Sequence, residues 1–206
     1  MKKILTFVLL ATLIGQLGSC KKENKETEEV QKPSISFQAD QEGSSLEWTA
    51  YKTTDKVPVK GTFKDVRIVN SVKSADVAGA IDGMRFEIPV SSIFTNDTIR
   101  DGKLQKFFFA VMENSMTLKG EFNVESEDSG NLSVSMNGMS KKLPFKYKVE
   151  KDTVHLNTTM DLNDWGAQKA LESLNEACKV LHTGPDGVSK TWNEVALSAK
   201  IHVTEQ

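Results

Sequence analysis

The stretch FEIPVSSIFTNDTIRDGKLQKFFF, residues 86–109, changes its hydrophobic period partway along its length. Its first part alternates apolar and polar side chains, which is the period of a half-buried β-strand. The middle is rich in serine and threonine, which favour turns. Beyond it, apolar side chains recur at helical spacing at Leu104, Phe107, Phe108 and Val111. The stretch therefore predicts a strand, a turn and a short helix.

The period of two continues on both sides of this stretch. Alternating apolar faces recur in about eight segments: residues 46–50, 59–63, 84–90, 116–124, 132–136, 143–149, 154–162 and 195–203. Strands with one apolar and one polar face are typical of an antiparallel sheet that has one wet side. The chain therefore predicts an all-β protein whose strands form a sandwich or close into a barrel.

Two short polar segments predict hairpin turns between neighbouring strands. They are SEDSGN at residues 126–131 and NGMSKK at residues 137–142. We expect Gly130 and Gly138 to supply the positive φ that tight hairpins require. The turns favour a meander of antiparallel strands.

A second helix is predicted between the last two strands, within residues 163–192. Its apolar stripe consists of Ala167, Ala170, Leu171, Leu174, Ala177, Cys178 and Leu181. Asn163 or Asp164 is expected to cap its start, and Gly184 to end it. Because both predicted helices lie between strands, each is placed to plug or cover the mouth of a barrel.

The N-terminus has the pattern of an export signal over residues 1–19. Lys2 and Lys3 precede an apolar run, residues 4–17, that is shorter than the about 20 residues of a membrane-spanning helix. The run ends in LGSC, which resembles a bacterial lipobox, so we expect Cys20 to be the lipid attachment site. The alternative is an ordinary signal peptide with an incidental cysteine.

The segment after the cysteine, residues 20–33, is mostly charged and predicts a disordered tether. Together with a lipidated Cys20, it predicts a membrane-anchored lipoprotein of the bacterial cell envelope, on the periplasmic face or the outer surface. Residues 34–206 then form the folded domain.

Composition narrows the classes of partner. Removal of residues 1–19 would take two from the 26 basic side chains and leave the 28 acidic ones, so the mature chain would be net negative. That balance argues against a nucleic-acid partner. If Cys20 is lipidated, Cys178 has no partner for a disulfide, and the core must be stable without one.

Three parts of the chain resemble the YceI-like family of exported, polyisoprenoid-binding proteins. They are LEWTAYK with VKGTF (residues 46–52 and 59–63), the quoted stretch at 86–109, and NLSVSMNGMSKKLPF at 131–145. The chain departs from the family in VMENSMTLKG, which lacks the usual tyrosine-proline step, and in a longer, more helical segment at 164–192. The resemblance implies an eight-stranded antiparallel lipocalin-like barrel, with one or two short helices covering it and a long apolar cavity. In the family that cavity holds isoprenoid chains, quinones or fatty amides.

The large apolar side chains on the inward strand faces and the first helix are the candidate cavity lining. They are Trp48, Phe63, Phe86, Ile88, Phe108, Phe122, Phe145 and Met160. The alternative is that they fill a solid core. Arg100 is a possible contact for a ligand headgroup at the mouth; alternatively, Arg100 and Asp101 fix the turn into the helix by hydrogen bonds.

Other chemistry has weaker sequence support. Cys178 and His182 share a helix face and, with His155 or His202, would make part of a metal site, but zinc needs three or four suitably spaced ligands. DLNDWG and HTGPDG, residues 161–166 and 182–187, have too few oxygen ligands for a calcium loop. No common catalytic or cofactor motif occurs, so we predict neither an enzyme nor a cofactor.

The favoured function is an envelope lipoprotein that binds an apolar chain, such as an isoprenoid, a quinone or an acyl lipid, in a barrel cavity for sequestration or carriage. The alternative is a non-enzymatic interaction module with a filled core that binds an envelope partner. A dry, filled interior would favour the second.

Overall fold

A computed structural model describes residues 35–206, so the predicted signal peptide, the Cys20 lipidation site and the tether lie outside the described residues. Within that range, eleven antiparallel strands form one sheet in the order β3-β5-β7-β8-β9-β10-β11-β1-β2-β6, with β4 paired to β1. The strands are β1 (Phe37–Lys52), β2 (Val57–Phe63), β3 (Arg67–Asn70), β4 (Lys73–Ser74), β5 (Arg85–Pro89), β6 (Ile93–Phe94), β7 (Thr117–Val124), β8 (Ser129–Met136), β9 (Met139–Glu150), β10 (Thr153–Asp161) and β11 (Glu194–Glu205).

The predicted fold class is confirmed: the sheet is antiparallel, curls around an apolar core and is accompanied by short helices. Each predicted segment with an apolar face lies on one of the longer strands, and β3, β4 and β6 are additional short ones. The described ladder has β3 at one end and β6 at the other, so hydrogen bonding leaves a half-barrel rather than the closed barrel that the resemblance implied. Strand β3 has only four residues, and its register with β5 is irregular between Ile68 and Asn70. It therefore has few backbone groups that could pair with another strand and close the barrel.

The longest strand, β1, pairs with β11, β2 and β4. Its register against β11 shifts between Asp40 and Ser45. The Ser44 hydroxyl donates to the Asp40 carbonyl (2.6 Å) and accepts from the His202 N–H (3.0 Å), which satisfies backbone groups at the irregularity. Such irregularities bend a strand and increase its twist, which helps a sheet to enclose a core.

One of the two predicted glycine turns has the expected geometry. Asn137 and Gly138 have φ values of 52° and 68° between β8 and β9, as a tight type I′ hairpin requires. The prediction for Gly130 was wrong, because Gly130 lies within β8 opposite Phe145 and is not at a positive φ. A Cβ at Gly130 would lie 2.6 Å from Cζ of Phe145, so this glycine makes room for a ring rather than a turn.

The first predicted helix is present as a composite of three short pieces. It begins with α1 (Thr98–Lys103), continues as a π-helical segment (Leu104–Phe108) and ends as a 3₁₀ turn (Phe109–Val111). The Asp97 carboxylate caps α1 by accepting from the N–H groups of Ile99 and Arg100, both at 3.0 Å. Val111 lies in the last turn, but its side chain is exposed, so the predicted apolar face does not extend to it.

The second predicted helix is also broken into parts: a 3₁₀ turn (Leu162–Trp165), α2 (Gln168–Ala177) and α3 (Lys179–His182). Asp161, rather than Asn163 or Asp164, caps the start, because its carboxylate accepts from the Asn163 N–H at 2.9 Å. The apolar stripe stops at Cys178, since Leu181 is exposed. The helix ends at His182 before it reaches Gly184. No helix among residues 35–206 is long and apolar enough to cross a membrane.

Candidate binding cavity

The interior of the half-barrel contains a cavity of about 190 Å³. On the same measure, a water molecule needs about 10–15 Å³, so the space is much larger than a packing defect. Its walls are almost entirely apolar, with side chains from the inward faces of the strands and from the helical segments. The expectation of a filled core therefore does not describe this interior.

Seven of the eight predicted lining residues surround this cavity. They are Trp48, Phe63, Phe86, Ile88, Phe108, Phe122 and Met160. Phe145 is the exception: it is buried behind Phe122, with ring centroids 5.8 Å apart, and is not among the residues that line the cavity. Its ring lies over Gly130 on the neighbouring strand. That these side chains contact a ligand stays a prediction.

Three aromatic rings on the sheet pack over glycines directly opposite them on neighbouring strands. The pairs are Trp48 with Gly61, Phe86 with Gly120 and Phe145 with Gly130. An added Cβ would lie 2.2–2.6 Å from the nearest ring atom at each glycine. Because the glycines have no side chain, the rings can lie against the sheet instead of projecting into the centre of the barrel. This arrangement helps to keep the cavity open.

The two helical segments cover one side of the cavity, as expected from their position between strands. Leu104 from the π-helical segment, and Leu171 and Leu174 from α2, complete its wall. The two segments pack against each other, and the Lys103 ammonium donates to the Ala177 carbonyl at 3.0 Å. Leu171 and Leu174 were predicted as part of the α2 stripe, but their position on the cavity required the tertiary structure.

A second space of about 220 Å³, which we call the vestibule, adjoins the cavity. Trp48, Ala50, Leu104, Leu174 and Thr191 line both spaces. The rest of the vestibule is more polar and is formed by the end of β1, by β2, and by α1 and α3. Its lining includes Lys52, Asp97, Arg100, Lys103 and His182.

The structure separates the roles of Arg100 and Asp101. The Asp101 carboxylate accepts from both the N–H (2.9 Å) and the hydroxyl (2.7 Å) of Thr95, and so fixes the turn into α1. Arg100 lines the vestibule, with its guanidinium 3.5 Å from the Asp97 carboxylate. The pKa of Asp97 is lowered, mainly because its carboxylate accepts a hydrogen bond from the Arg100 backbone N–H. Asp97 therefore stays ionised. Arg100 therefore borders the vestibule, and its contact with a ligand headgroup stays a prediction.

His182 is held by a chain of hydrogen bonds at the side of the vestibule. Its Nδ1 lies 2.7 Å from the Thr191 hydroxyl, which donates to the Asn175 side-chain oxygen at 2.9 Å. The Thr191 oxygen is therefore free to accept, and this assigns the proton of the imidazole to Nδ1. Burial, followed by the nearby charges of Lys52 and Lys103, lowers the pKa of His182 to about 4. The ring is neutral at pH 7.

The weaker metal hypothesis finds no support in the described part of the chain. There, no group of three His, Cys, Asp or Glu side chains is placed to hold a metal ion. Cys178 is buried, and burial raises the pKa of its thiol. His155 and His202 lie instead beside Glu150 (3.5 Å) and Asp152 (3.7 Å).

Comparison with known proteins adds a family and several structural relatives. A family described as "YceI-like domain" matches residues 37–203. A polyisoprenoid binding domain from Saccharophagus degradans is 12% identical, with a TM-score of 0.57 over 84% of this chain and 99% of that one. BcnA from Burkholderia cenocepacia is 14% identical, with a TM-score of 0.52 over 81% and 99%. The Campylobacter jejuni YCEI protein is 18% identical, with a TM-score of 0.50 over 72% and 85%. No curated protein sequence matches the chain.

Proposed function

This chain belongs to the YceI-like domain family, and we propose that its barrel cavity binds one apolar chain for sequestration or carriage. The observation that carries the proposal is the cavity of about 190 Å³ with almost entirely apolar walls. An isoprenoid, a quinone tail or an acyl chain has the matching chemistry. One of the structural relatives is described as a polyisoprenoid binding domain, which supports the isoprenoid class.

Burial of the chain is sufficient to account for useful affinity. Ten buried CH₂ groups contribute about 8 kcal/mol. The loss of translational and rotational freedom, together with ordering of the ligand, offsets part of this gain. Micromolar affinity is therefore within reach without any covalent step. The protein acts in this proposal as a carrier and not as an enzyme.

The carrier is proposed to work in a bacterial envelope, as a lipoprotein anchored through Cys20. The support is the order of features in the sequence: basic residues, an apolar run, LGSC and a charged segment. Two or more acyl chains on the N-terminus give stable membrane attachment, whereas one gives only weak attachment. A membrane-anchored carrier would exchange its chain with the lipids beside it.

Native mass spectrometry tests the chain-binding proposal. The C20S variant of the full chain would be purified without detergent, and bound molecules would be extracted with organic solvent. We expect an extra mass that extracts as a lipid or quinone, or uptake of an added isoprenoid or fatty acid. A bare protein that takes up none of them would contradict the proposal and favour an interaction module.

A further inference from the structure

The vestibule has an unbalanced charge. Lys52, Arg100 and Lys103 line it, and Asp97 is its one carboxylate among the described residues. Asp97 is already paired with Arg100 at 3.5 Å and accepts the backbone N–H groups of α1. In residues 35–206, no carboxylate forms an ion pair with Lys52 or Lys103. Three cationic side chains therefore share this space with one carboxylate, which leaves the lining with a net positive charge.

The lysines keep donor capacity for a ligand. One N–H of Lys103 is used by the Ala177 carbonyl, and an ammonium group has three donors. That contact also fixes the position of Lys103 between α1 and α2. Lys52 stands at the end of β1, where its backbone pairs with Thr191, so its Cα is fixed by the sheet. Both cations are half-buried, which reduces the solvent screening of their charges.

Neighbouring groups respond to the positive charge of the vestibule. Lys52 and Lys103 both lower the pKa of His182, in addition to the larger effect of burial. The same two lysines and Arg100 act to lower the pKa of Cys178, against the larger, raising effect of burial. A neutral imidazole and a neutral thiol add no further charge to the site. An incoming anion would therefore meet a net positive surface.

The position of the vestibule relative to the cavity defines the shape of the ligand. Because Trp48, Ala50, Leu104, Leu174 and Thr191 border both spaces, a chain that extends from the cavity into the vestibule would place its first polar atoms beside Lys52 and Lys103. We propose that the vestibule is an oxyanion site, which selects apolar chains that end in a carboxylate or a phosphate over chains with neutral or cationic heads. This inference rests on the proposed function, because the cavity must hold the tail.

Ammonium and guanidinium groups form charge-assisted hydrogen bonds to carboxylate and phosphate oxygens, and these are stronger than neutral ones. A neutral alcohol would leave the two lysines without a partner of opposite charge. A long-chain amine would be repelled. The head thus supplies discrimination, and the tail supplies most of the affinity.

The test compares ligands that share a tail and differ in the head. Hexadecanoic acid, hexadecanol and hexadecylamine would be titrated into the full-chain C20S protein at pH 7.5, below the concentration at which each aggregates. Farnesyl monophosphate and farnesol form a second pair, which distinguishes a phosphate from a carboxylate source. The variants are K52Q and K103Q, and K106Q is the matched control because Lys106 is an exposed neighbour outside the vestibule.

In the unmodified vestibule we expect the acid or the phosphate to bind about 10-fold more tightly than its alcohol, the effect of one good charge-assisted contact. K52Q and K103Q should each reduce this ratio by several-fold, because they weaken the acid or phosphate more than the alcohol, whereas K106Q should keep the ratio. Equal binding of acid, phosphate and alcohol, or a preference for the amine, would overturn the oxyanion site but leave chain binding standing. Failure of every ligand to bind would overturn the proposed function and this inference with it.

Discussion

The indole of Trp48 lies against Gly61, its direct partner on the neighbouring strand β2, so closely that a Cβ at Gly61 would be 2.2 Å from Cζ2 of the ring. The ring also borders both the cavity and the vestibule. The absence of a side chain at Gly61 therefore allows the indole of Trp48 to take this position between the cavity and the vestibule. The same relationship recurs for Phe86 with Gly120.

We expect G61A to destabilise the protein by about 1–3 kcal/mol, because the added methyl group forces the ring out of its place in a packed interior. The displaced indole should also reduce the space available to a chain. Denaturant unfolding of the purified variant measures the first effect. G102A is the control, since nothing lies within 4 Å of a Cβ at this position in α1. It should be neutral or slightly stabilising. Equal stability of G61A and G102A would contradict the packing argument.

Much of this fold was readable from the sequence because the long strands each bury one face, which produces a period of two. Strands β4 and β6 have only two residues each and cannot display a period, so they were not predicted. The alternation correctly placed Phe145 on an inward face. It could not show that the ring lies over Gly130 and behind Phe122, because that depends on the register between strands.

The vestibule illustrates the limit of local patterns. Lys52 ends β1, Lys103 ends α1 and His182 ends α3, far apart in the sequence. Only the tertiary structure brings them together around one space. The one signal in the sequence was the Arg-Asp pair at residues 100 and 101, which marked this region as a possible mouth without identifying its other cations.

Ala50 offers a direct test of whether a chain passes between the two spaces, because its side chain borders both. A50F should place a ring at this boundary and lower the affinity for long chains by at least about 10-fold, with an overpacking cost of about 1–3 kcal/mol. Titration with hexadecanoic acid measures the effect. T49F is the matched control, since alternation along β1 directs residue 49 to the outer face. If T49F weakens binding as much as A50F, the chain does not pass this point.

Asp101 and Arg100 should differ in their contribution to stability. D101A removes the acceptor for both the N–H and the hydroxyl of Thr95, so we expect a loss of about 1–2 kcal/mol. R100Q breaks only a partly exposed pair with Asp97 and should cost less than about 1 kcal/mol. Denaturant unfolding of the two variants provides the comparison. A larger loss for R100Q would mean that the arginine, and not the aspartate, fixes the turn.

His182 predicts a specific dependence of stability on pH. Its pKa falls from 6.5 in the unfolded chain to about 4 in the fold, so between these values the unfolded chain binds more protons. Its contribution to stability is therefore present above pH 6.5 and is lost as the pH falls towards 4. After discounting for the half-exposed ring, we expect the wild type to lose about 1 kcal/mol from this group between pH 7 and pH 5.

The measurement is the free energy of unfolding of wild type and H182N at the two pH values. Asparagine has an N–H near the position of Nδ1 and can still donate to Thr191, but it does not titrate. H182N should show a smaller loss on acidification than the wild type by about 1 kcal/mol. Identical losses in the two proteins would show that His182 is not held neutral by the fold.

Cys20 decides whether the carrier is bound to a membrane. In the full-length protein expressed in a bacterium, we expect the wild type to incorporate an alkyne-labelled fatty acid and to sediment with membranes. C20S should lose both properties, because the alkylated thiol is absent and a folded domain with net negative charge has little affinity for an anionic bilayer. C178S is the matched control and should keep the label and the membrane association. Label retained on C20S would mean that the acyl chain is attached at another residue. A wild type that carries no label would mean that the N-terminal segment is an ordinary signal peptide. In that case the protein would exchange its chain from solution, and access to the vestibule would not depend on the orientation of an anchored domain.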